Sequence, residues 1–444
     1  MSGLESKPVD ANPVPVPESS TQEEDKIKEQ LKKLKTVAKL VPKENISLAK
    51  IELEKQHKFW DEQPVPKIYE ENEESGAIEE KTLDQVRKDP LALPDAFEWY
   101  DIDVNSDEDM SNVYTLLEQN YVEDDDAMFR FAYPIPFLRW ALTPPGWRRD
   151  WHIAVRVKAN KSLVAFISGV PVEVRVDQKK IVKMAEINFL CVHKKLREKR
   201  LAPKLIAEVT RRVNLTDVWQ AVYTAGVLVP KPVSKTRYWH RNLNPPKLID
   251  IGFSSIPRTY AKFRDPLDMT IKYYKLPEKP LTVGFRKMTK KDVPAVQKLL
   301  NDYLRRFKVH PEFTQDDFKH WFLTRDDVIH SFVVQDPETK RITDFVSFYS
   351  LPSSVIGHQK HKLLKAAYLY FYFANSTPLV QLIDDLLISA KALDFDVLNC
   401  LDIMDNAQFI EKCKFGPGDG NLYYYLYNYK IPDLKPEQIG LTML

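Results

Sequence analysis

The stretch AEINFLCVHKKLREKRLAPKLIAEVTRRV, residues 185–213, decides the fold of this chain. It begins with an apolar run that has the composition of a buried strand, and an amphipathic pattern follows close behind. Between the two, six basic residues and one acidic residue give a local charge of +5: Lys194, Lys195, Arg197, Lys199, Arg200 and Lys204 against Glu198. Pro203 suits the first turn of a helix, because its missing N–H has no partner there. The stretch therefore predicts a strand, a basic turn and a helix.

The regions on either side extend this unit. The helix places Ala202, Ile206, Val209 and Val213 on one face, at steps of three or four residues. Residues 151–177 predict two strands around a turn at 159–162, residues 185–192 and 219–226 predict two more, and residues 109–122 predict a helix. The second half repeats the plan, with strands at 343–353, 365–374, 395–401 and 421–430 and helices at 378–393 and 406–416.

This alternation predicts a mixed α/β fold, in which a twisted sheet is flanked by helices. We divide the chain into a disordered or weakly helical N-terminal arm (1–50) and two pseudo-symmetric halves (51–260 and 261–444). The first residues of the arm are rich in Pro, Ser and acidic residues and offer little to bury. Its basic segment fits a solvated helix face or a surface for ribosomes or membranes.

Composition limits the function classes. The 444 residues carry 65 basic and 63 acidic side chains, a net charge of +2, which argues against general nucleic-acid coating. Three scattered cysteines (Cys191, Cys400 and Cys413) exclude a disulfide framework and a cysteine-based zinc site. No apolar run reaches 18 residues, and the first 20 residues lack the apolar core of a secretory signal. We therefore expect a soluble cytoplasmic protein with no transmembrane segment.

The basic turn predicts an anion site. A helix N-terminus already attracts anions through its free N–H groups and its dipole, and the added cations favour a polyphosphate. The alternative is a solvated loop that is basic without binding anything. Neither a P-loop nor a GxGxxG pattern occurs here, which argues against a nucleotide or dinucleotide site.

The turn resembles the acyl-CoA loop of the acetyltransferase superfamily related to histone acetyltransferases, with its R-x-x-G-x-G/A spacing. Arg197, Arg200 and Ala202 occupy the comparable positions, with arginine in place of the first glycine. A narrower resemblance covers the chain from about Lys58 to its end. EINFLCVHK (186–194), KFGPGDGN (414–421), KFWDEQPV, NYVEDDDAMFRFAY, YTAG, RYWHRNLNP and GDGNLYYYLYNY are similar to segments of the glycylpeptide N-tetradecanoyltransferase (N-myristoyltransferase) family.

The resemblance implies an enzyme that moves a myristoyl group from myristoyl-CoA to the N-terminal glycine amine of a protein, by direct attack of that amine. The backbone N–H groups of Phe189 and Leu190 are implied as the oxyanion donors, which requires a β-bulge in NFLC. The terminal carboxylate of Leu444 is implied as the base. Asn188 and Thr224 are implied as polar partners that position the amine or relay its proton.

The resemblance also implies the binding residues. Acyl-CoA is expected to contact a lid segment, the end of the strand and the basic turn: His57, Lys58, Phe59, Trp60, Cys191, Val192, Arg197, Glu198, Lys199, Arg200, Leu201 and Ala202. The peptide is expected to contact aromatic, charged and glycine positions: Tyr121, Glu123, Asp124, Asp125, Phe129, Arg130, Phe131, Tyr133, Tyr238, His240, Tyr368, Asp419 and Gly420. Myristoyl-CoA is a substrate in this scheme, with no permanently bound cofactor and no metal.

Several alternatives compete with these roles. Residues 123–126 form either a negative rim that favours a basic substrate residue or a solvated acidic loop, and GPGDGN around Asp419 is also typical of a hairpin. Cys191 and His193 suggest a thiol nucleophile, but an apolar strand favours a packed thiol. His240 lacks the neighbours of a metal site. A short-chain acetyltransferase and a non-catalytic acyl-CoA adaptor remain the competing functions, and the arm remains a candidate ribosome contact.

Overall fold

The computed structural model describes residues 18–123, 126–178 and 180–444. Contacts divide the chain into two units. The first comprises the described part of Met1–Gln56 together with Lys67–Glu71, and the second comprises His57–Pro66 and Asn72–Leu444. Helices α1 (Glu18–Leu40) and α2 (Ile46–Glu54) occupy much of the predicted N-terminal arm, whose residues 1–17 lie outside the described part.

The second unit contains the remaining elements. Its helices are α3 (Asp107–Asn120), α4 (Ile135–Leu142), α5 (Leu201–Asn214), α6 (Pro245–Asp250), α7 (Pro266–Tyr274), α8 (Val293–Leu304), α9 (Gln315–Phe322) and α10 (Leu379–Ala392). Its strands are β1 (Gly76–Ala77), β2 (Phe97–Asp101), β3 (Phe129–Phe131), β4 (His152–Val157), β5 (Leu163–Val176), β6 (Lys180–Val192), β7 (Gln220–Ala225), β8 (Ser234–Asn242), β9 (Phe285–Lys287), β10 (Val309–Pro311), β11 (Ile329–Gln335), β12 (Ile342–Ser350), β13 (Ser353–Val355), β14 (Leu363–Leu364), β15 (Ala366–Ala374), β16 (Val397–Leu401), β17 (Gly416–Tyr427) and β18 (Tyr429–Lys430).

A 13-stranded sheet organises this unit, in the order β2-β4-β5-β6-β7-β17-β8-β16-β15-β12-β11-β9, with β10 paired to β5. Two of its strand pairs are parallel, β6 with β7 and β15 with β16. Helix α5 joins the first pair and α10 joins the second, so each half contains one strand–helix–strand crossover. The halves also exchange strands, because β17 pairs with β7 and β8 pairs with β16. The predicted mixed α/β fold with two pseudo-symmetric halves is confirmed.

The predicted strands and helices occur close to their expected positions, with two differences. The segment 406–416 forms a short 3-10 turn at Asn406–Gln408, so no α-helix begins there. The buried face of α5 carries Leu201, Leu205, Val209 and Val213, whereas Ala202 and Ile206 are only partly buried. The predicted face was wrong at its first two positions, because steps of four residues from Leu201 follow the sheet surface.

Strand β6 separates two hydrophobic cores. Ala185, Ile187 and Leu190 face the smaller core, which α5 covers. Met184, Phe189 and Cys191 face the larger core, which extends through the second half. A strand presents alternate side chains to opposite faces, so one continuous apolar strand is able to serve both cores.

The C-terminal tail is packed into the larger core. Ile439, Leu441 and Met443 are buried, and Leu444 packs against the same core with part of its surface accessible. The Gly440 N–H donates to the Val309 carbonyl at 2.8 Å, which ties the tail to β10. Chain ends are commonly frayed, so this burial requires specific contacts along the whole tail.

Among the described residues, no helix has the length and apolar character needed to cross a membrane.

Gly440 provides a test of the tail packing. A Cβ atom at this position lies 2.7 Å from a ring carbon of Phe307, so Gly440→Ala forces the tail or the ring to move. We expect the free energy of unfolding to fall by about 1–3 kcal/mol, as for other overpacked sites. Chemical denaturation measures this change. Gly76→Ala is the matched control, because a Cβ at Gly76 meets nothing within 4 Å and its stability is expected to stay unchanged.

Candidate functional site

Strands β6 and β7 pair over only part of their length. Their parallel register covers Met184 with Gln220, Ala185 with Ala221 and Glu186 with Val222. Strand β6 continues for six more residues and β7 for three more. Asn188 and Thr224 therefore lie just past the last pair, where the described ladder ends. A parallel sheet that opens at this point leaves backbone groups available for a ligand.

A β-bulge interrupts β6 at the same place. On β5, Phe166 and Ser168 are two positions apart, but their partners on β6, Cys191 and Asn188, are three positions apart. Phe189 adopts a left-handed backbone with φ of +55°. A bulky residue in this region is strained and marks sites where the surrounding structure enforces a special geometry. The bulge predicted in NFLC is confirmed.

Aromatic packing holds Phe189 in this conformation. Its ring is 5.1 Å from that of Tyr133, edge to face, and 6.2 Å from that of Tyr121. Phe189 is 1% exposed, so the neighbouring rings fix its position. Its N–H donates to the Oδ1 atom of Asn188 at 2.8 Å. The aromatic cluster thus fixes the strained backbone of Phe189 as well as its side chain.

The chain terminus lies beside the bulge. The Asn188 Nδ2 group donates to the carboxyl oxygen of Leu444 at 2.7 Å. Two further bonds hold the tail, from the Tyr424 hydroxyl to the Leu441 carbonyl at 2.8 Å and from the Thr442 hydroxyl to the Tyr370 carbonyl at 3.2 Å. The site thus combines residues from β6, β15, β17 and the last four positions of the chain.

The basic turn begins with a 3-10 helix, Lys194–Lys199, and leads directly into α5. Arg200 precedes α5 in a left-handed conformation with φ of +54°, which favours glycine. This is the position where the acetyltransferase pattern has its first glycine. No side chain caps the first turn of α5, and no acidic residue lies in it. The turn has the backbone shape of an anion loop, with arginine where glycine is usual.

The six cations of the turn divide into two groups. Lys194 pairs with Glu123, Arg197 donates to the Asn120 carbonyl at 2.5 Å and Lys204 donates to the Ala92 carbonyl at 2.6 Å. The other three are exposed and have no partner among the described residues: Lys195, Lys199 and Arg200. The first group anchors the turn, and the second leaves positive charge at the start of α5. Glu198, Leu201 and Ala202 lie in this same segment.

The corresponding loop of the second half is already occupied by the protein. The Oδ1 atom of Asp344 accepts the N–H groups of Asn375, Ser376 and Thr377, at 2.7, 2.9 and 3.0 Å. Asp344 is completely buried. A carboxylate therefore satisfies the N–H groups before α10, whereas no side chain among the described residues caps the start of α5.

Of the predicted lid residues, His57, Lys58 and Phe59 precede a short 3-10 helix, and Trp60 is the first residue of that helix. The ring of Trp60 stacks on that of Tyr223 at 6.1 Å, and Tyr223 stacks on Tyr425 at 4.9 Å. Tyr223 directly precedes Thr224 on β7, so this aromatic stack places the turn at the same opening of the sheet. Val192 ends β6 on the side of the smaller core.

The predicted peptide residues fall into a paired group and an aromatic group. Glu123 binds Arg130 and Lys194, and these partners hold the pKa of its carboxyl below its usual range. Its negative charge is thus largely neutralised within the protein. Asp124 and Asp125 lie outside the described residues. Phe129 packs edge to face on Phe253 with ring centroids 5.6 Å apart.

Aromatic side chains from several elements meet near the tail. Phe131 contacts Tyr133 and Tyr368, with ring centroids 5.8 and 6.4 Å apart. Tyr238 and Tyr368 line a cavity of about 20 Å³ together with Tyr349, Thr442 and Met443, among other residues. This volume accommodates about one water molecule. The sequence predicted Tyr238 and Tyr368 separately, and the structure brings both to the tail.

His240 is held between strands. Its Nδ1 atom is 2.6 Å from the Oδ1 atom of Asn399, and burial lowers the pKa of the imidazole. Gly418 packs directly on the ring, since a Cβ there lies 2.3 Å from Nε2. Asp419 and Gly420 are exposed in the bulged start of β17, so the segment GPGDGN forms a strand with a bulge and not a hairpin turn.

Three comparisons with known proteins identify the family. The descriptions of the N-terminal and C-terminal domains of myristoyl-CoA:protein N-myristoyltransferase match residues 77–236 and 250–442. The chain belongs to the N-myristoyltransferase family. It is 54% identical to glycylpeptide N-tetradecanoyltransferase 1 of Arabidopsis thaliana over 88% of this chain and 90% of that one. It is 52% identical to the Dictyostelium discoideum enzyme, over 94% and 99%.

A solved structure agrees with this assignment. Saccharomyces cerevisiae N-myristoyltransferase with bound myristoyl-CoA superimposes with a TM-score of 0.83 and 42% identity, covering 88% of this chain and 100% of that one. The chain described here is accordingly an acyltransferase of the N-myristoyltransferase family. Within the described residues, no group of three or more His, Cys, Asp or Glu side chains is arranged to hold a metal ion.

Two titratable groups on β6 distinguish chemical roles in this N-myristoyltransferase. Burial raises the pKa of the Cys191 thiol to about 12, which opposes a thiolate nucleophile. Burial also raises the pKa of Glu186 to about 7. Glu186 has no predicted role, although an acidic residue in the middle of an apolar strand is a visible signal in the sequence.

Glu186 makes stability depend on pH. A carboxyl whose pKa is raised by folding costs stability as pH rises from its unfolded pKa, about 4.3, through its folded value. The free energy of unfolding of Glu186→Gln minus that of the wild type is therefore expected to be larger at pH 8 than at pH 5. We expect this difference to increase by about 1–3 kcal/mol between the two pH values. Urea denaturation at both pH values measures this difference. An equal difference at both values would contradict the raised pKa.

Proposed function

We propose that this N-myristoyltransferase transfers myristate from myristoyl-CoA to the N-terminal glycine amine of proteins, with its own C-terminal carboxylate as the base. The hydrogen bond from the Asn188 amide to the Leu444 carboxyl, at 2.7 Å, carries this proposal. It places a negative charge at the opening of the sheet, beside the strained residue Phe189. An incoming glycine ammonium is attracted to such a carboxylate.

The bulge supplies the oxyanion donors in this scheme. Phe189 and Leu190 have no partner in the β5–β6 register, and the β7 ladder ends at Glu186, so their N–H groups lie outside the described ladders. The Leu190 N–H donates to the thioester oxygen, on which negative charge develops. The Phe189 N–H gives up its hydrogen bond to the Asn188 side chain and donates to the same oxygen. Removing one such donor costs on the order of 100-fold in rate in comparable sites.

The terminal carboxylate then removes a proton from the glycine ammonium, and the free amine attacks the thioester carbon. The C–S bond breaks as the amide bond forms, and coenzyme A leaves as its thiol. The partly buried Thr224 side chain on β7 lies past the end of the ladder, where it positions the amine with Asn188. No acyl-enzyme is formed, in agreement with the buried Cys191 thiol.

The basic turn holds the phosphates of coenzyme A. Lys195, Lys199 and Arg200 are exposed, and the uncapped start of α5 adds N–H donors. The aromatic stack of Trp60 on Tyr223 covers the thioester from the other side. Residues 51–260 therefore bind acyl-CoA and also supply Tyr121, Tyr133 and Tyr238 to the peptide groove, whereas residues 261–444 contribute Tyr368, Asp419 and the base.

The peptide groove uses the aromatic cluster near the tail. Tyr121, Tyr133, Tyr238 and Tyr368 offer apolar ring faces beside the site. Exposed Asp419 contributes the negative charge that attracts a basic substrate residue, because Glu123 is already paired with Arg130 and Lys194. His240 supports this wall through Asn399 and Gly418.

A one-residue extension tests the base. A single glycine added after Leu444 moves the terminal carboxylate away from Asn188, so we expect kcat to fall about 100-fold or more. Myristoyl-CoA affinity, measured by isothermal titration calorimetry, is expected to remain unchanged. Leu444→Ala is the matched control, since it keeps the carboxylate in place and is expected to retain kcat within about 10-fold. Full activity of the extended chain would refute the base.

Arg200→Gly tests the basic turn without disturbing the fold. Glycine adopts the left-handed backbone at no steric cost, and this gain offsets its larger loss of chain entropy, so the melting temperature is expected to change little. Loss of the cation is expected to weaken myristoyl-CoA binding about 3- to 10-fold. Lys340→Gly is the control, because Lys340 is also an exposed cation with φ of +58°. If both variants bind myristoyl-CoA with equal affinity, Arg200 does not contribute to the coenzyme A site.

A further inference from the structure

Glu186 lies on β6 two residues before Asn188, so both side chains point to the same side of the sheet. The backbone of Glu186 is paired between Val170 and Val222. Solvent reaches part of the side chain, yet its carboxyl has no hydrogen-bond or ion-pair partner among the described residues. An unpaired carboxylate in apolar surroundings lowers stability. Packing therefore does not explain why this position is acidic.

The surroundings of Glu186 belong to the C-terminal tail. Its charge contributes to the raised pKa of the Tyr370 and Tyr424 hydroxyls, which places both rings near its carboxyl. Tyr424 donates to the carbonyl of Leu441, and the carbonyl of Tyr370 accepts from Thr442. The same two tyrosines thus contact Glu186 electrostatically and hold the tail that ends in the proposed base.

The proposed base leaves a thermodynamic problem that this position solves. A glycine ammonium has a pKa of about 8, whereas a free α-carboxylate has a pKa of about 3.5. Proton transfer between them is unfavourable by about four orders of magnitude. Burial raises the pKa of Glu186 to about 7, which is close to that of the ammonium. The Glu186 carboxylate therefore binds the proton almost as strongly as the glycine amine does.

We propose that Glu186 accepts the proton that the Leu444 carboxylate removes from the substrate ammonium. This inference rests on the proposed function. An N–H bond of the ammonium breaks and an O–H bond forms on Leu444. The proton then passes through one water to the carboxylate of Glu186, which becomes neutral, and Leu444 is ionised again. Glu186 lies two residues from Asn188, which binds the Leu444 carboxyl, so the Cα atoms of the two strand residues are about 7 Å apart. At this spacing we infer one bridging water between the two carboxylates.

The titratable groups that face Glu186 define the expected pH behaviour. They are Tyr370 from β15 and Tyr424 from β17, and both tyrosines stay neutral because their pKa values are raised well above the usual range. In the proposed relay the terminal carboxylate, which Asn188 holds, is the third. Burial of the Glu186 carboxyl is what raises its pKa. The single-turnover rate should therefore rise with pH and level off just above the pKa of Glu186.

The experiment measures single-turnover rates from pH 6 to 9 with saturating myristoyl-CoA and a glycyl peptide. In Glu186→Gln we expect the rate at pH 7.5 to fall about 10- to 100-fold and the rise through pH 7 to disappear. Glu186→Asp is expected to keep the rise at an intermediate rate. Myristoyl-CoA affinity and peptide KM are expected to match the wild type. A wild-type rate and pH profile in Glu186→Gln would overturn the proposal.

Further outcomes separate this proposal from its foundation. If Glu186→Gln is normal while the extension after Leu444 abolishes turnover, the terminal base stands and Glu186 is refuted. If the extension has no effect, the terminal base fails, whatever Glu186→Gln does. Should Glu186→Gln not fold, infrared spectroscopy of the wild type decides, because a protonated carboxyl band that titrates near pH 7 is expected. Absence of that band would also overturn the proposal.

Discussion

The bulge at Phe189 is the constraint on which the proposed active site depends. It leaves two consecutive residues, Phe189 and Leu190, without partners in the strand register, at the place where the β6–β7 ladder ends. The left-handed conformation of Phe189 is unfavourable by itself and persists because Tyr121 and Tyr133 enclose its ring. Asn188 connects this strained backbone to the chain terminus, so strand geometry and tail position are coupled.

The two halves share a topology but not a chemistry. Each contains a parallel strand pair joined by a helix, and each has a loop before that helix whose N–H groups need an acceptor. In the second half Asp344 provides the acceptor from within the protein. In the first half Lys195, Lys199 and Arg200 are exposed beside the start of α5 and have no partner among the described residues. Loops in equivalent places of the two halves thus differ, because an internal carboxylate fills the one in the second half.

Much of the fold was predictable from residue patterns. The basic turn of residues 194–200, the strand before it and the helix after it occur where the residue patterns placed them. The bulge in NFLC occurs where the family resemblance implied it. The face of α5 and the helix expected at 406–416 were wrong, because helical spacing alone does not say which stripe meets the sheet or whether a short segment completes a turn. The neutralisation of Glu123 was also invisible, since Arg130 and Lys194 approach it only after folding.

The sequence by itself determined the α/β alternation, the position of the basic turn and the family, because these follow from local patterns and from ordered segments along the chain. Only the tertiary structure decided that Leu444 reaches Asn188, that Tyr238 and Tyr368 share a cavity with the tail and that Glu186 is left without a partner. These contacts join residues that are far apart in the chain, up to 256 positions for Asn188 and Leu444. Sequence periodicity predicts which face of an element a residue occupies, whereas the tertiary packing determines which other residues that face contacts.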